Sequence, residues 1–409
     1  MSRGSVRRRV PRWSDLQPYL RRPPRAASGA ERRVAGAASV SDLREVARRH
    51  VPRAVFDYVD GGAEAELSLA HARAAFGRVE FSPFVLRGVA DVDPSTSILG
   101  APAAVPLVFA PTGFTRLMHH AGEPAVARAA ARAGIPYALS TLGTTSPDRL
   151  AAEAPDGRRW FQLYVWRDRE AVAALVERAA ASGFEALILT VDTPVGGARL
   201  RDVRNGFSIP PALTLRTFAG IAVHPGWWFN VLTTEPITFA SFRSSDGTVA
   251  ELLDTVLDPG LSWDDLAWLR GAWTRPLIVK GIQSVEDART AADLGVDAIV
   301  VSNHGGRQLD RAPTPLELLP SVAAAVGDRV EVYVDGGVLS GADVVAAVGL
   351  GARACLVGRG YLYGLMAGGE AGVDRVVALF RADVLRTMRL LGVRSVAELT
   401  PERVRLRAG

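Results

Sequence analysis

The chain has 409 residues, of which 48% are hydrophobic and 22% charged, with 40 Gly and 25 Pro; this near-average globular composition excludes disordered and fibrous classes. The length suits one barrel of about 250 residues with insertions, or two to four smaller domains. The formal net charge is only +5, and the single cysteine, Cys355, excludes an internal disulfide, so a reducing, cytoplasmic setting without a secretory leader is the expectation.

Residues 1–35 read as a flexible basic arm. Before Val34 stand ten arginines, at positions 3, 7, 8, 9, 12, 21, 22, 25, 32 and 33, against Asp15 and Glu31. Such an arm either stays solvated or meets an anionic partner: nucleic acid, lipid headgroups or an acidic protein. Residues 36–400 form the body of the protein. Within it, 39–76 has helical periodicity, broken at Tyr58-Val-Asp-Gly-Gly-Ala63. The uncharged stretches 94–115 and 217–234 contain Pro94, Pro102, Pro106 and Pro111, and His224, Pro225 and Asn230. Neither suits a membrane span of about 20 mostly apolar residues.

Short β-rich runs then alternate with segments of helical period, the pattern of repeated strand-helix units. Eight strands are predicted, at 106–110, 137–139, 160–163, 186–190, 276–279, 298–301, 331–334 and 354–357. They imply an α/β fold, a (β/α)8 TIM barrel with an N-terminal helical segment. Its strand tips carry Thr112, Ser140, Gln162, Tyr164, Asp192, Lys280, His304, Asp335, Gly358 and Arg359, and in this architecture the tips form the active-site face. Between the fourth and fifth strands about 85 residues intervene, where a loop of 2 to 6 is usual. Residues 206–260, with Pro210-Pro211 and Pro225-Gly-Trp-Trp-Phe229, therefore read as an inserted lid beside the barrel mouth. Residues 401–409 read as a tail.

Two features of the tips stand out chemically. Of 48 Lys and Arg residues only Lys280 is lysine, at the end of the apolar run Pro276-Leu-Ile-Val; an ammonium there offers a compact charge that arginine's planar fork cannot copy. An arginine-rich composition could also leave one lysine anywhere by chance. The densest string is Ser302-Asn-His-Gly-Gly-Arg-Gln308. Its glycines let backbone approach a ligand, its imidazole can take a proton at neutral pH, and its arginine can clamp a carboxylate. Histidines 50, 71, 119, 120 and 224 read as packed or surface residues. Asp192 either caps a turn or orients His304 as the third member of a triad does; Arg199 is either a second carboxylate donor or a surface charge. Asp335-Gly-Gly337 and Gly358-Arg359-Gly360 fall at strands seven and eight, the usual phosphate site of the fold.

These strings, with Phe161-Gln-Leu-Tyr164, Leu189-Thr-Val-Asp-Thr-Pro194 and Val279-Lys-Gly281, resemble the FMN-dependent 2-hydroxy acid dehydrogenases and oxidases, from about residue 38 to 400. The basic arm and Arg199-Leu-Arg-Asp-Val-Arg-Asn-Gly206 are most similar to the bacterial respiratory, quinone- or cytochrome-linked L-lactate dehydrogenases. The resemblance implies FMN across the barrel mouth, with Pro111, Thr112, Gly113, Ser140, Gln162, Thr190 and Ser302 around the ring and Lys280 beside its N1 and O2. Asp335, Gly336, Gly337, Gly358 and Arg359 would hold the ribityl chain and phosphate. His304, Asp192, Tyr164 and Lys280 would be catalytic; Tyr58, Arg199, Arg307, Tyr164 and Leu142 would bind substrate. Family members often have arginine in the turn after Asp-Gly-Gly, whereas here Val338-Leu339-Ser340 follows, so phosphate binding should lean on Arg359 and backbone amides. Leu142 stands where glycolate oxidases carry a tryptophan, leaving an apolar pocket that admits lactate and longer acids.

The implied activity is oxidation of L-lactate or a related L-2-hydroxy acid to the 2-keto acid, in a homo-oligomer, a tetramer by resemblance. Other FMN or phosphate barrels are the alternative class; one with a catalytic cysteine is disfavoured because Cys355 sits in a predicted buried strand. A nucleic-acid partner is not expected, since no reading motif accompanies the basic arm. Residues before the barrel are too few for a haem domain, and no glycine-rich dinucleotide turn suggests NAD. The acceptor is therefore expected to be a membrane quinone or a cytochrome, reached at the inner face of the cytoplasmic membrane through the arm and Trp227-Trp228-Phe229. The alternatives are an oxidase using oxygen, or aromatics that pack as the lid's own core.

Overall fold

A computed structural model of the chain describes residues 9–19, 28–206, 220–241 and 257–407. Strands buried on both faces must pair in parallel beneath a layer of helices, because no side of them can face water. Chain order gives β1 (Val79–Phe81), β2 (Thr96–Ile98), β3 (Ala101–Ala103), β4 (Leu107–Phe109), β5 (Tyr137–Ser140), β6 (Arg159–Leu163), β7 (Ala186–Thr190), β8 (Leu277–Ile282), β9 (Ala298–Val301), β10 (Glu331–Val334), β11 (Ala354–Val357) and β12 (Val404–Leu406). Strands β4 to β11 pair in parallel in sequence order, and β11 returns to β4 to close the barrel. All eight predicted strands are present.

One displacement has chemical weight: Lys280 lies within β8, not beyond it, because the strand continues through a bulge between Lys280 and Ile282. A bulge re-aims side chains near an active site. Here it turns on Gly281, at φ +110°, where a Cβ would come within 2.8 Å of the backbone nitrogen and side chain of Asp192. No other residue fits without moving that aspartate.

The barrel interior is filled by small and aromatic side chains, among them Ala138, Trp160, Ile188, Val300 and Tyr333, as a packed core rather than a pore. Its lower end is closed by the β2–β3 hairpin, which turns through Leu99 and Gly100 at positive φ and buries Ile98 completely. The Arg158 guanidinium ties the hairpin down through the carbonyls of Ile98, Ala101 and Pro102. With the bottom stoppered, the chemistry belongs to the opposite end.

The termini differ from the sequence reading. The arm's last residues form the helix Gly29–Ala35, with Val34 buried and Arg33 Nε donating to the Ala367 carbonyl at 2.7 Å. They dock on the helix Arg359–Leu391. Likewise the described part of 401–409 is no free tail: β12 pairs antiparallel with β1, Val79 opposite Leu406. Three helices, Val40–His50, Arg53–Asp60 and Leu67–Phe76, occupy the predicted helical segment, but Tyr58 and Asp60 end a helix and the break starts at Gly61. In the segment between β7 and β8 the structure shows the helices Leu200–Arg204, Pro225–Thr233 and Trp263–Ala272; Pro210-Pro211 and most of the arm's arginines lie outside the described residues.

Candidate active site

The upper end of the barrel opens into a cavity of about 700 Å³, lined from nearly every tip and from the helices Arg53–Asp60 and Leu67–Phe76. At its centre are two glycine-flanked, charged clusters. In the first, His304 opens a single turn of 3-10 helix, His304–Gly306, with φ +56°. That backbone is costly for a non-glycine residue and persists only where its surroundings impose it. The Ser302 hydroxyl accepts the His304 N–H at 3.0 Å, and His304 Nδ1 meets Asp192 Oδ1 at 2.9 Å. The Asp192 side chain is 1% exposed. Burial works to raise its carboxyl, yet the attraction of His304 and Lys280 holds it below the usual range. An ionised carboxylate against Nδ1 fixes the ring and leaves Nε2 to accept a proton.

The second cluster gathers anion-binding groups. The Arg199 and Arg307 guanidiniums lie 5.1 and 5.0 Å from the centre of the Tyr58 ring. Arg307 Nη1 donates to the Tyr58 carbonyl at 2.6 Å, and Arg199 pairs with Asp202 at 3.0 Å. Burial and the like charge of Arg199 bring Arg307 down to about 10, so it remains cationic at neutral pH. Two arginines stacked on one ring suit a carboxylate better than each other. Tyr164, buried and beside Asp192, is pushed well above the ordinary tyrosine range, which keeps its hydroxyl a neutral donor.

Tyr58 is held in place by a network that the sequence reading did not anticipate. Asp60, 6% exposed, accepts from Arg44 Nε at 2.5 Å, Tyr363 hydroxyl at 2.8 Å and Arg201 Nη1 at 3.0 Å. Four side chains from four helices thus lock the end of Arg53–Asp60 over the cavity. Leu142, expected in the substrate pocket, is joined in an apolar wall by two residues the sequence reading did not name: Phe239 and Leu257 pack with it around Tyr164, and Phe114 meets Phe239 edge to face at 4.4 Å. Apolar residues outside any periodic segment carry no signal of their role in the sequence.

Along the cavity's floor lie Ser140, Gln162, Thr190, Lys280 and Asp335. Burial works to lower Lys280, but Asp335, 3.1 Å away, and Asp192 leave it raised; Ser302 accepts from its ammonium at 3.0 Å. Among the described residues Gln162 Nε2, Thr190 Oγ1 and Asp335 Oδ1 are buried without a partner. Orphaned buried polar groups cost about 1 to 3 kcal/mol each, so three on one wall call for a ligand. An amide donor, a hydroxyl, a carboxylate acceptor and one ammonium match the heteroatom edge and hydroxyl chain of FMN. Gly336 and Gly337, both at positive φ, and Gly358 supply backbone beyond; a Cβ on Gly337 would strike the Ala72 carbonyl at 2.4 Å. Pro111, Thr112 and Gly113 form the facing rim.

Arg359 lines the cavity, and its Nε, Nη1 and Nη2 donate to the carbonyls of Val59, Gly305 and Gly61 at 2.9, 2.8 and 2.7 Å. Three of the five guanidinium N–H groups thus join the His304 turn to the Tyr58 helix. Cys355 is fully buried, as read from its strand.

A family model described as FMN-dependent dehydrogenase matches residues 47–406. A protein of Mycobacterium tuberculosis provisionally named as an L-lactate dehydrogenase is 57% identical over 400 residues, 98% of this chain and 97% of its own. The L-lactate dehydrogenase of Caulobacter vibrioides is 44% identical over 368 residues, 88% of this chain and 96% of its own. Among solved structures, the monotopic membrane protein (S)-mandelate dehydrogenase superposes with a TM-score of 0.88 at 38% identity, covering 91% of this chain and all of that one.

Proposed function

The chain belongs to the FMN-dependent dehydrogenase family and oxidises a 2-hydroxy acid, and on that footing we propose that its substrate is L-lactate or a close L-2-hydroxy acid and its acceptor a membrane quinone. The observation that carries the substrate reading is the pairing of the His304–Asp192 dyad with Arg199 and Arg307 around one cavity. The arginines bind the carboxylate, and Tyr164 donates to the 2-hydroxyl. His304 Nε2 takes a proton from the substrate, from C2 or from the hydroxyl, and Asp192 steadies the imidazolium that results. Bound FMN supplies a two-electron acceptor; Gln162, Thr190, Lys280 and Asp335 are the side chains that would hold it. Lys280, the charge that composition singled out, would meet negative charge that develops on the ring. Leu142, Phe239 and Leu257 exclude water on the far side.

Support for a membrane-side acceptor comes from the inserted helix Pro225–Thr233. Phe229 and Leu232 are 58% and 74% exposed, on a helix without a charged residue, and a relative of the same fold is a monotopic membrane protein. Trp227 is turned the other way: it packs against the core and donates to the Leu117 carbonyl at 2.8 Å. The aromatic run is thus divided between anchoring the helix and facing outward. No helix among the described residues is long and apolar enough to cross a membrane. The test is an anaerobic mixing of purified protein with L- and D-lactate, followed by turnover with a soluble quinone analogue and by peroxide production in air. Bleaching by the L-isomer alone, with quinone reduction outpacing peroxide, is expected. No bleaching removes the substrate reading; faster peroxide makes the protein an oxidase.

A further inference from the structure

Behind the rim at the tip of β4 stands a phenol that the site as described does not use. Ala110, Pro111, Thr112 and Gly113 line the main cavity, whereas Tyr361 lies on their core side, fully buried and outside the cavity wall. Its hydroxyl donates to the Ala110 carbonyl at 2.9 Å and lies 2.5 Å from the Thr112 hydroxyl. A phenol has a single proton and a carbonyl can only accept, so the Thr112 O–H donates to the Tyr361 oxygen. Burial pushes the phenol above its ordinary range, which keeps that proton in place. The ring is held between Phe109 and Tyr137, their centres 4.9 and 6.4 Å away. Either end of the rim is tied to a neighbouring tip: Ala110 N–H donates to the Val357 carbonyl at 2.9 Å, and Phe114 N–H to the Leu142 carbonyl at 3.0 Å. Pro111 has no N–H, and among the described residues the N–H groups of Thr112 and Gly113 meet no acceptor.

We infer that Tyr361 is the positioning residue of this rim, holding its main chain back on the core side so that the free N–H groups of Thr112 and Gly113 serve the bound flavin and set its reduction potential. The inference rests on FMN occupying the cavity, which the unpartnered groups of Gln162, Thr190 and Asp335 support. Flavin that has taken an electron pair is richer in negative charge than oxidised flavin. A preorganised N–H dipole therefore stabilises it more than the oxidised state, by an amount that depends on the donor's distance and angle. Both bonds of the phenol bear on that placement. The Ala110 carbonyl precedes Pro111, and the Thr112 hydroxyl belongs to a donor residue itself. The residue that follows the rim, Phe114, is buried at φ +56°, a backbone that persists only where its surroundings impose it. Without the phenol the Ala110 carbonyl loses its partner on a side closed to solvent, which is costly, and the rim must shift to find another.

Tyr361→Phe removes the hydroxyl and keeps the ring. The midpoint potential of the FMN-loaded protein, without substrate, is read anaerobically against a reference dye. The preference for reduced over oxidised flavin should fall about tenfold, a shift of about −30 mV for a two-electron couple. The potential reports the ratio of the affinities for the two flavin states, so a pocket that has merely loosened weakens both alike and leaves it unmoved. Tyr137→Phe is the matched control. Its hydroxyl is likewise buried, beside the same ring, but has no partner, so the preference should stay within about twofold of the parent. Thr112→Val keeps the N–H and breaks the link to the phenol; it should shift the preference in the same direction by about threefold, and it decides the matter if Tyr361→Phe does not fold. A potential unchanged or raised in Tyr361→Phe, an equal fall in Tyr137→Phe, or, where Tyr361→Phe does not fold, an unchanged potential in Thr112→Val would overturn the role. A parent that binds no FMN would instead defeat the cofactor reading beneath it.

Discussion

Asp192→Asn isolates the dyad. The carboxylate oxygen 2.9 Å from His304 Nδ1 is buried, so its bond to a charged imidazolium is unscreened. A hydrogen bond to a charged group is worth about 1.5 to 3 kcal/mol, and each 1.36 kcal/mol is tenfold in rate, which gives a loss of roughly 10 to 10² from charge alone. A second effect adds to it. The asparagine amide can donate to Nδ1, which moves the ring proton to Nε2, the nitrogen that must receive the substrate's proton; in a hydrolytic triad the same substitution costs about 10⁴. Flavin bleaching should therefore slow by roughly 10² to 10⁴, with flavin content and substrate binding preserved and the isotope effect of C2-deuterated substrate undiminished. Bleaching within threefold of the parent would refute the orienting role, because neither the charge nor the tautomer would then matter to the step.

Arg307→Met should weaken binding of the keto acid about 10²-fold, the cost of removing one partner of a desolvated charge pair, measured by difference spectra of the bound flavin; an amide analogue of the substrate should lose far less. Phe239→Ala opens the apolar wall beside Tyr164 and Leu142, so the preference for longer over shorter 2-hydroxy acids should shift by about 1 to 3 kcal/mol in kcat/KM ratio. Asp60→Asn should destabilise the protein by about 2 kcal/mol near neutrality, reduced from the 3 to 5 kcal/mol of fully buried pairs because Arg44 and Arg201 are a third exposed. Burial pushes the Asp60 carboxyl up, but Arg44 and Tyr363 hold it below its ordinary 3.8. A depressed carboxyl stabilises above its unfolded value and loses that contribution as pH falls. The gap between parent and variant in urea unfolding should accordingly be constant at pH 6 to 8 and shrink below about pH 4.

The parts of the molecule that were legible in the sequence share one physical origin. Barrel strands are buried on both faces, so they stand out as apolar runs of four or five, and their polar tips mark the open end without any knowledge of contacts. Lys280 was visible for the same reason: a charge can end such a run only if something at the tip satisfies it, and Asp335 and Ser302 do. The pairing of β1 with β12 left no such trace. Each is three residues long, carries exposed charge in Glu80 and Arg405, and gains its partner from more than 300 positions away. Charge type was likewise readable where charge use was not. Arg307 and Arg359 both follow a strand tip beside glycine and both donate to the Gly61 carbonyl, yet one lies over the Tyr58 ring beside Arg199 and the other reaches on to the carbonyls of Val59 and Gly305. The difference lies in which further main-chain carbonyls each guanidinium meets around the end of the Tyr58 helix. That allocation is also what makes the site rigid. By tying Gly305 to Val59 and Gly61, Arg359 fixes the strained His304 backbone against the helix that carries Tyr58, so base and anion-binding ring cannot drift apart. A positioning arginine of this kind is invisible to motif and composition, because its donors are aimed at main chain whose conformation only the fold decides.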